Sequence, residues 1–315
     1  MSRLVVGTRG SALALWQTHW VVGELRRMHP HLEIEVRAVG SPGDRLPHIP
    51  LTSIADTHLF TRDLDEALQM GKIDLAVHSL KDVPGDLPTN VVIGAIPTRA
   101  DPRDALVSAA GRPPIAALSD LPHGARVGTD STRRAAQLRH LRPDLRVTPV
   151  RGNVDTRLRK LDAGEHDALV LAAAGLRRLG LEGRISVTLS PELCLSAPGQ
   201  GALAITTRGD DSRLPPLLAG LHDDAVAAAV GAERGLLRRL GGGCQAPIAA
   251  LAMLADNGVG LRLRGLVASL DGVVLLRAEG HGSADAPEDL AKQVARQLLQ
   301  QGAEALLSAA RATTA

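Results

Sequence analysis

Apolar positions recur at strand and helix spacing in regular alternation over the first two thirds of the chain. Leu4 to Gly7 is a short apolar run that reads as a strand, and Ala12 to Met28 carries apolar residues at helical spacing until Pro30 stops it. Glu33 to Val39 alternates polar and apolar as a half-buried strand does, Leu59 to Met70 returns to helical spacing, and Ile73 to His78 to a strand. Such alternation predicts an α/β architecture with mostly parallel sheets. The pattern is doubled. Val6-Gly7-Thr8, followed by Ser11 and a helix, is echoed by Val127-Gly128-Thr129, followed by Ser131 and a helix. Gly71-Lys72-Ile73-Asp74 is echoed by Gly164-Glu165-His166-Asp167, each leading into an apolar strand. We read two similar lobes, residues 1–98 with 199–219 and residues 99–198, with crossings at Pro198-Gly199 and Pro215-Pro216.

Beyond residue 220 the texture changes. Asp224 to Leu240 is helical and ends in Gly241-Gly242-Gly243. Leu261 to Ser269 and Val273 to Gly280 read as antiparallel strands, and Pro287 to Ala310 as one closing helix. This predicts a small C-terminal α+β domain over 220–315.

Composition narrows the function classes. The 315 residues are 44% hydrophobic but 1% aromatic, so the core must be aliphatic. A balance of 36 basic against 34 acidic residues excludes a polybasic or acidic tail. With only Trp16, Trp20 and Phe60 as aromatics, nucleic acid is a poorer fit, because base-stacking platforms need aromatics, and no nucleic-acid partner is expected. Two cysteines cannot build a disulfide framework, and no signal peptide or apolar run of about 18 residues is present, which predicts a reducing, cytoplasmic setting. G-x-x-x-x-G-K-[ST], G-x-G-x-x-G, C-x-x-C and H-E-x-x-H are all missing, so neither nucleotide nor metal chemistry is expected.

The placement of arginines is the most informative feature. Arg9 lies in a Gly-Thr-Arg-Gly-Ser turn before a helix, where its guanidinium, the Ser11 hydroxyl and free helix N–H groups can converge on one anion. Arg133 and Arg134 open the equivalent helix of the second lobe, Arg151-Gly152-Asn153 follows another strand with Arg157 one turn on, and Arg177-Arg178 follow the strand ending near Gly175. A single arginine at a helix start is as often solvated surface. Several at matching strand ends, where open α/β sheets bind ligands, predict one cleft for a molecule with several carboxylates or phosphates. Asp82 closes the strand in Val77-His78-Ser79-Leu80-Lys81-Asp82-Val83-Pro84, at the rim of that cleft, and is a candidate acid/base or cation-stabilising group, although an aspartate beside a turn is more often only a cap. Cys244 in Gly241-Gly242-Gly243-Cys244-Gln245 is sterically free to approach a ligand as a nucleophile or covalent tether, whereas Cys194 reads as packing.

Together these segments resemble the porphobilinogen deaminase (hydroxymethylbilane synthase) family. The match runs in order through Gly7-Thr8-Arg9-Gly10-Ser11 with Leu13 to Gln17, Ala76 to Pro84, Asp101-Pro102-Arg103-Asp104, Val127-Gly128-Thr129 before Arg133-Arg134, Arg151 to Leu158, Ala174 to Gly180, Pro198 to Gly201 and Gly242 to Gln245. The resemblance implies two periplasmic-binding-protein-like lobes and a third domain carrying the cysteine. It implies a dipyrromethane cofactor attached by a thioether to Cys244, and condensation of four porphobilinogen units, each losing ammonia, to release hydroxymethylbilane. By resemblance, Asp82 stabilises the electron-poor azafulvenium and assists proton transfer. Arg9, Ser11, Ser79, Lys81, Thr129, Ser131, Arg133, Arg134, Arg151, Gly152, Asn153, Arg157, Arg178 and Gln200 hold cofactor or substrate carboxylates, and Gln17, Arg99 and Arg103 are subsidiary candidates. A monomer in tetrapyrrole biosynthesis, handing its product to the next enzyme, is the implied setting. One stretch departs from the pattern: Ser53 and Thr57 stand where the family has loop lysines, and Pro42 where it has a basic or polar residue. A two-lobed anion-binding or effector-sensing protein without catalysis is the alternative that this departure raises.

Overall fold

A computed structural model describes residues 3–40, 60–113, 115–243, 245–255 and 260–314. The first sheet has the order β2-β1-β3-β10-β4, from β1 (Arg3–Thr8), β2 (Glu33–Ala38), β3 (Leu75–Ser79), β4 (Val91–Ala95) and β10 (Leu203–Arg208). The second has the order β7-β6-β8-β5-β9, from β5 (Asp104–Ser108), β6 (Arg126–Gly128), β7 (Arg146–Thr148), β8 (Ala168–Ala172) and β9 (Val187–Thr188). In each sheet one strand, β10 or β5, runs against the other four, so the sheets are mostly parallel. Helices α1 (Ala12–Met28) and α2 (Arg62–Gln69) serve the first sheet, and α3 (Thr132–Leu141), α4 (Val154–Asp162) and α5 (Ala173–Arg178) the second.

The doubled Val-Gly-Thr motif has a packing cause. A Cβ on Gly7 would lie 2.4 Å from the Ile73 Cδ1, and one on Gly128 would lie 2.5 Å from the Leu169 Cδ2. The two glycines hold equivalent places, Gly7 beside Ala76 of β3 and Gly128 beside Leu169 of β8. Two aliphatic cores follow, one around Val6, Leu25, Leu75 and Ile205, the other split over the faces of the second sheet around Val127, Leu138, Leu161 and Leu169.

The chain leaves the first sheet after β4 and returns to it at β10, so residues 96–103 and 189–202 are the crossings. Pro215-Pro216 is not a crossing. It opens the short helix α6 (Leu214–Leu218), where proline's missing N–H costs nothing in the first turn.

The C-terminal part consists of α7 (Asp224–Arg239), the antiparallel sheet β11 (Ile248–Leu254), β12 (Leu261–Ala268) and β13 (Leu275–Gly282), then α8 (Pro287–Gln300) and α9 (Ala303–Thr314). Its core is formed by Leu236, Leu263, Val294, Leu298 and Leu307. The expected single closing helix is two, because Gly302 adopts φ +99° and breaks the ladder.

Candidate active site

The strand β3 runs directly into a single 3-10 turn, Leu80–Asp82, anchored by the buried Leu80 side chain and by its N–H donating to the Ala202 carbonyl at 3.0 Å. This puts Asp82 in the wall of a pocket lined also by Arg9, Ser11, Gln17, Phe60 and Ser79, with Lys81 beside it in the same turn. Ser11 caps α1 by accepting from the Ala14 N–H at 3.3 Å, and the Arg9 guanidinium lies 4.5 Å from the centre of the Phe60 ring. Gln17 Nε2 donates to Ser79 Oγ at 2.9 Å. Burial, reinforced by Arg9, pushes His78 down to about 4, so it stands neutral with Nε2 at 3.0 Å from Thr206 Oγ1.

Neither the Asp82 carboxylate nor the Lys81 ammonium makes a hydrogen bond or ion pair in the described structure. Desolvation pushes Lys81 down to about 8, only partly opposed by the charge of Asp82. The cationic form, the one that holds a carboxylate, therefore predominates below about pH 8 and is lost above it. Substrate capture, read as kcat/KM, should fall as pH rises through 8 to 9, and Lys81→Arg should move that alkaline limb upward; an identical limb in both proteins would remove Lys81 from carboxylate binding.

The second lobe faces the same point. Arg157 donates through Nε to the Gly152 carbonyl at 2.7 Å. Gly152 adopts φ +112°, and a Cβ there would sit 2.7 Å from the Thr156 Cγ2, so the Arg151-Gly152-Asn153 turn requires glycine. Burial, with the like charges of Arg134 and Arg151, pushes Arg157 down to about 10, while Asp130 and Asp82 act in the opposite direction. Asp82 of one lobe and Arg157 of the other are thus within each other's field. Arg151 lies 3.8 Å from Asp130, and Arg178, lowered to about 10 by burial, donates to the Gly201 carbonyl on the crossing at 2.6 Å. Thr129 accepts from the Ser131 N–H and Ser131 from the Arg134 N–H, so both hydroxyls serve the start of α3.

Other arginines expected to hold carboxylates are paired with internal acids. Arg133 and Arg134 are buried and both close on Asp104, at 2.7 and 2.6 Å, and Gln200 Nε2 donates to the same carboxylate at 2.9 Å. Arg133 also donates to the Leu195 carbonyl at 2.7 Å and Arg134 to that of Val170 at 3.2 Å, so these groups form an internal network, and the charges of both arginines act on Lys81. The cause is electrostatic: a carboxylate removed from water needs partners, and two guanidinium groups supply them. Arg99 pairs with Glu233 of α7 at 2.7 Å, and Arg103 with Asp101 at 2.8 Å, and neither is in the pocket lining. Asp104, Glu233 and Phe60 had no assigned role in the sequence reading. A lone buried acid opposite an Arg-Arg pair is the signal that could have found Asp104.

Cys244, Pro42, Ser53 and Thr57 lie outside the described residues. Among the described residues, no cluster of His, Cys, Asp or Glu could hold a metal ion, and no helix is long and apolar enough to cross a membrane.

Comparison with known proteins adds to this geometry. Residues 4–215 match the family model "Porphobilinogen deaminase, dipyromethane cofactor binding domain", and residues 227–300 match "Porphobilinogen deaminase, C-terminal domain". The porphobilinogen deaminase of Roseiflexus sp. (strain RS-1) is 50% identical over 305 residues, covering 97% of this chain and 98% of its own. That of Desulforudis audaxviator is 49% identical over 309 residues, covering 98% of each. Among solved structures, the periplasmic aliphatic sulphonate binding protein SsuA of Escherichia coli aligns with 76% of this chain and 70% of its own at 16% identity and a TM-score of 0.40. Relatives this similar over nearly the whole length do not favour a binder without catalysis: the chain belongs to the porphobilinogen deaminase family, enzymes that condense porphobilinogen with loss of ammonia on a dipyrromethane cofactor.

Proposed function

We propose that Asp82 is the catalytic carboxylate of this enzyme and that Arg9, Ser11, Ser79, Lys81, Arg151, Arg157 and Arg178 hold the acetate and propionate groups of cofactor and substrate. The observation that carries this reading is Asp82 in the pocket wall with Lys81 beside it in the same turn, neither with a hydrogen bond or ion pair among the described residues. A half-buried pair left open in this way suits ligands that bring both carboxylates and pyrrole N–H groups. The donor set fits a dipyrromethane, because cations from both lobes answer its carboxylates and Asp82 can accept from its ring nitrogens. When bound through the Cys244 sulfur, the cofactor supplies the carbon nucleophile on which the pyrrole chain is built.

The chain's own residues then perform three tasks. Arg157 and Lys81, whose charges are disfavoured by desolvation, regain stabilisation when a substrate carboxylate arrives, and each such charge-assisted hydrogen bond contributes about 1.5–3 kcal/mol. Asp82 faces the cation left on porphobilinogen when the C–N bond of its protonated aminomethyl group breaks, the electron pair leaving with ammonia and the methylene carbon staying on the ring, and it stabilises that cation electrostatically and by accepting the pyrrole N–H. Asp82 also takes up the proton displaced when the new carbon–carbon bond restores aromaticity. Further parts of this proposal are a monomeric state, a cytoplasmic location, product hand-over to an enzyme consuming a linear hydroxymethyl tetrapyrrole, and a division into residues 1–98 with 199–219, 99–198 and 220–315.

The test is turnover with both products counted. Ammonia and hydroxymethylbilane should appear together from porphobilinogen, in the ratio set by four condensations per bilane. Tight porphobilinogen binding without ammonia would contradict the catalytic reading and favour a sensor.

A further inference from the structure

The helix α7 leads into the glycine-flanked Cys244 and makes an unusual contact with the first lobe. The buried Arg234 side chain donates to three consecutive carbonyls, those of Val83 at 3.0 Å, Pro84 at 2.7 Å and Gly85 at 3.2 Å. These are the residues immediately after Asp82. Carbonyl dipoles converging on one point repel each other unless a multi-donor cation sits among them, and the planar guanidinium supplies several donors in one fork where an ammonium is a point charge. The approach is close: a Cβ on Gly85 would meet the Arg238 Cγ at 2.9 Å. Upstream, the turn is held by the Leu80 N–H on the Ala202 carbonyl. Asp82 therefore sits between two backbone anchors, and since its carboxylate makes no hydrogen bond of its own in the described structure, those anchors set its direction.

We propose that Arg234 is a positioning residue for Asp82, aiming the carboxylate by fixing the Val83-Pro84-Gly85 turn and tying it to the helix that leads to the cofactor cysteine. The inference rests on the proposed catalytic role of Asp82. Without the fork, buried carbonyls lose their donors, the turn relaxes, and Asp82 moves relative to the reacting carbon while the carboxylate-binding cations outside the turn, Arg9, Arg151, Arg157 and Arg178, stay in place. A misplacement of this kind lowers kcat and leaves KM nearly unchanged.

The experiment compares Arg234→Lys and Arg234→Gln with the unmodified holoenzyme, with turnover expressed per molecule shown by intact mass to carry the cofactor. A fall in kcat of about tenfold for Arg234→Lys and about 100-fold for Arg234→Gln is expected, with KM within about twofold of the parent. Combined with Asp82→Asn, Arg234→Lys should cause no further loss, because both changes remove the same interaction. Parental kcat per loaded molecule in the Arg234 variants, or losses that multiply with that of Asp82→Asn, would overturn the positioning role while leaving Asp82 catalytic. If Arg234→Gln does not fold, Arg234→Lys, which keeps the buried positive charge, decides alone. Near-parental turnover by Asp82→Asn itself would overturn the underlying reading and this inference with it.

Discussion

Asp82→Asn should cut ammonia release by about 10²- to 10³-fold, the range seen when one electrostatic stabiliser of a transition state is removed. The substitution keeps the shape and discards the charge. Because the Asp82 carboxylate accepts no hydrogen bond in the described structure, the new amide orphans no partner, and the thermal midpoint should stay within the scatter of surface substitutions, about 0.5 kcal/mol. Porphobilinogen should still bind, since the cations that hold its carboxylates are untouched. Steady-state ammonia release and thermal unfolding, measured on the same preparation, separate the two effects. A variant that turns over near the parental rate would remove Asp82 from the mechanism, and one that unfolds readily would show that the residue is structural.

Asp104→Asn should act in the opposite way, on stability before chemistry. Burial alone would raise the Asp104 carboxyl, but Arg133 and Arg134 outweigh it and hold the group well below the usual carboxylate range. Removing one member of a buried ion cluster leaves uncompensated charge, at a cost of about 3–5 kcal/mol. At about 2–4 °C per kcal/mol for a domain of this size, the melting temperature should drop by roughly 10 °C. The pH dependence follows in sign. A carboxyl whose folded-state pKa is depressed contributes stability that is present above the unfolded value of about 4 and is lost as pH falls below it. The parent should lose stability steeply in that acid range and Asp104→Asn more gently. A calorimetric scan showing a shift of only a degree or two, or equal acid slopes, would mean that the network is balanced in some other way. The neighbouring Cys194, whose thiol burial pushes up to about 12, donates to Asp104 at 3.4 Å and belongs to this cluster as packing, not as a nucleophile.

Strong local signals carried the fold. The ends of α1 and α7 are marked by side chains that cap them, Ser11 and Asp223, and the interior of each helix repeats apolar residues at helical spacing. The repeated Val-Gly-Thr motif was visible because neighbouring side chains crowd both glycines, where a Cβ would meet the Ile73 Cδ1 at 2.4 Å or the Leu169 Cδ2 at 2.5 Å. Less was legible where both faces of an element are covered. β11, Ile-Ala-Ala-Leu-Ala-Met-Leu, shows no alternation because one face joins the C-terminal core and the other packs with Leu195 and Ala136 of the second lobe.

The site was legible to the extent that strand ends identify it. Asp82, Ser79 and Arg9, which line one pocket, could be grouped from their turns alone. The fate of Arg133, Arg134 and Gln200 could not, because it depends on a carboxylate 29 to 96 positions away that arrives beside them only through the strand order of the second sheet. Arg99 was hidden in the same manner, since its partner Glu233 belongs to another part of the chain, where it also accepts the N–H groups of Gly199 and Ala252.

The most direct single measurement is the intact mass of the denatured chain, purified as expressed and again after incubation with porphobilinogen. A covalent addition equal to one dipyrromethane, mapped to the peptide containing Cys244 and missing in Cys244→Ser, is the expected result. An unmodified chain that also fails to acquire the addition from porphobilinogen would contradict a sulfur-anchored pyrrole chain held by the cations of the two lobes.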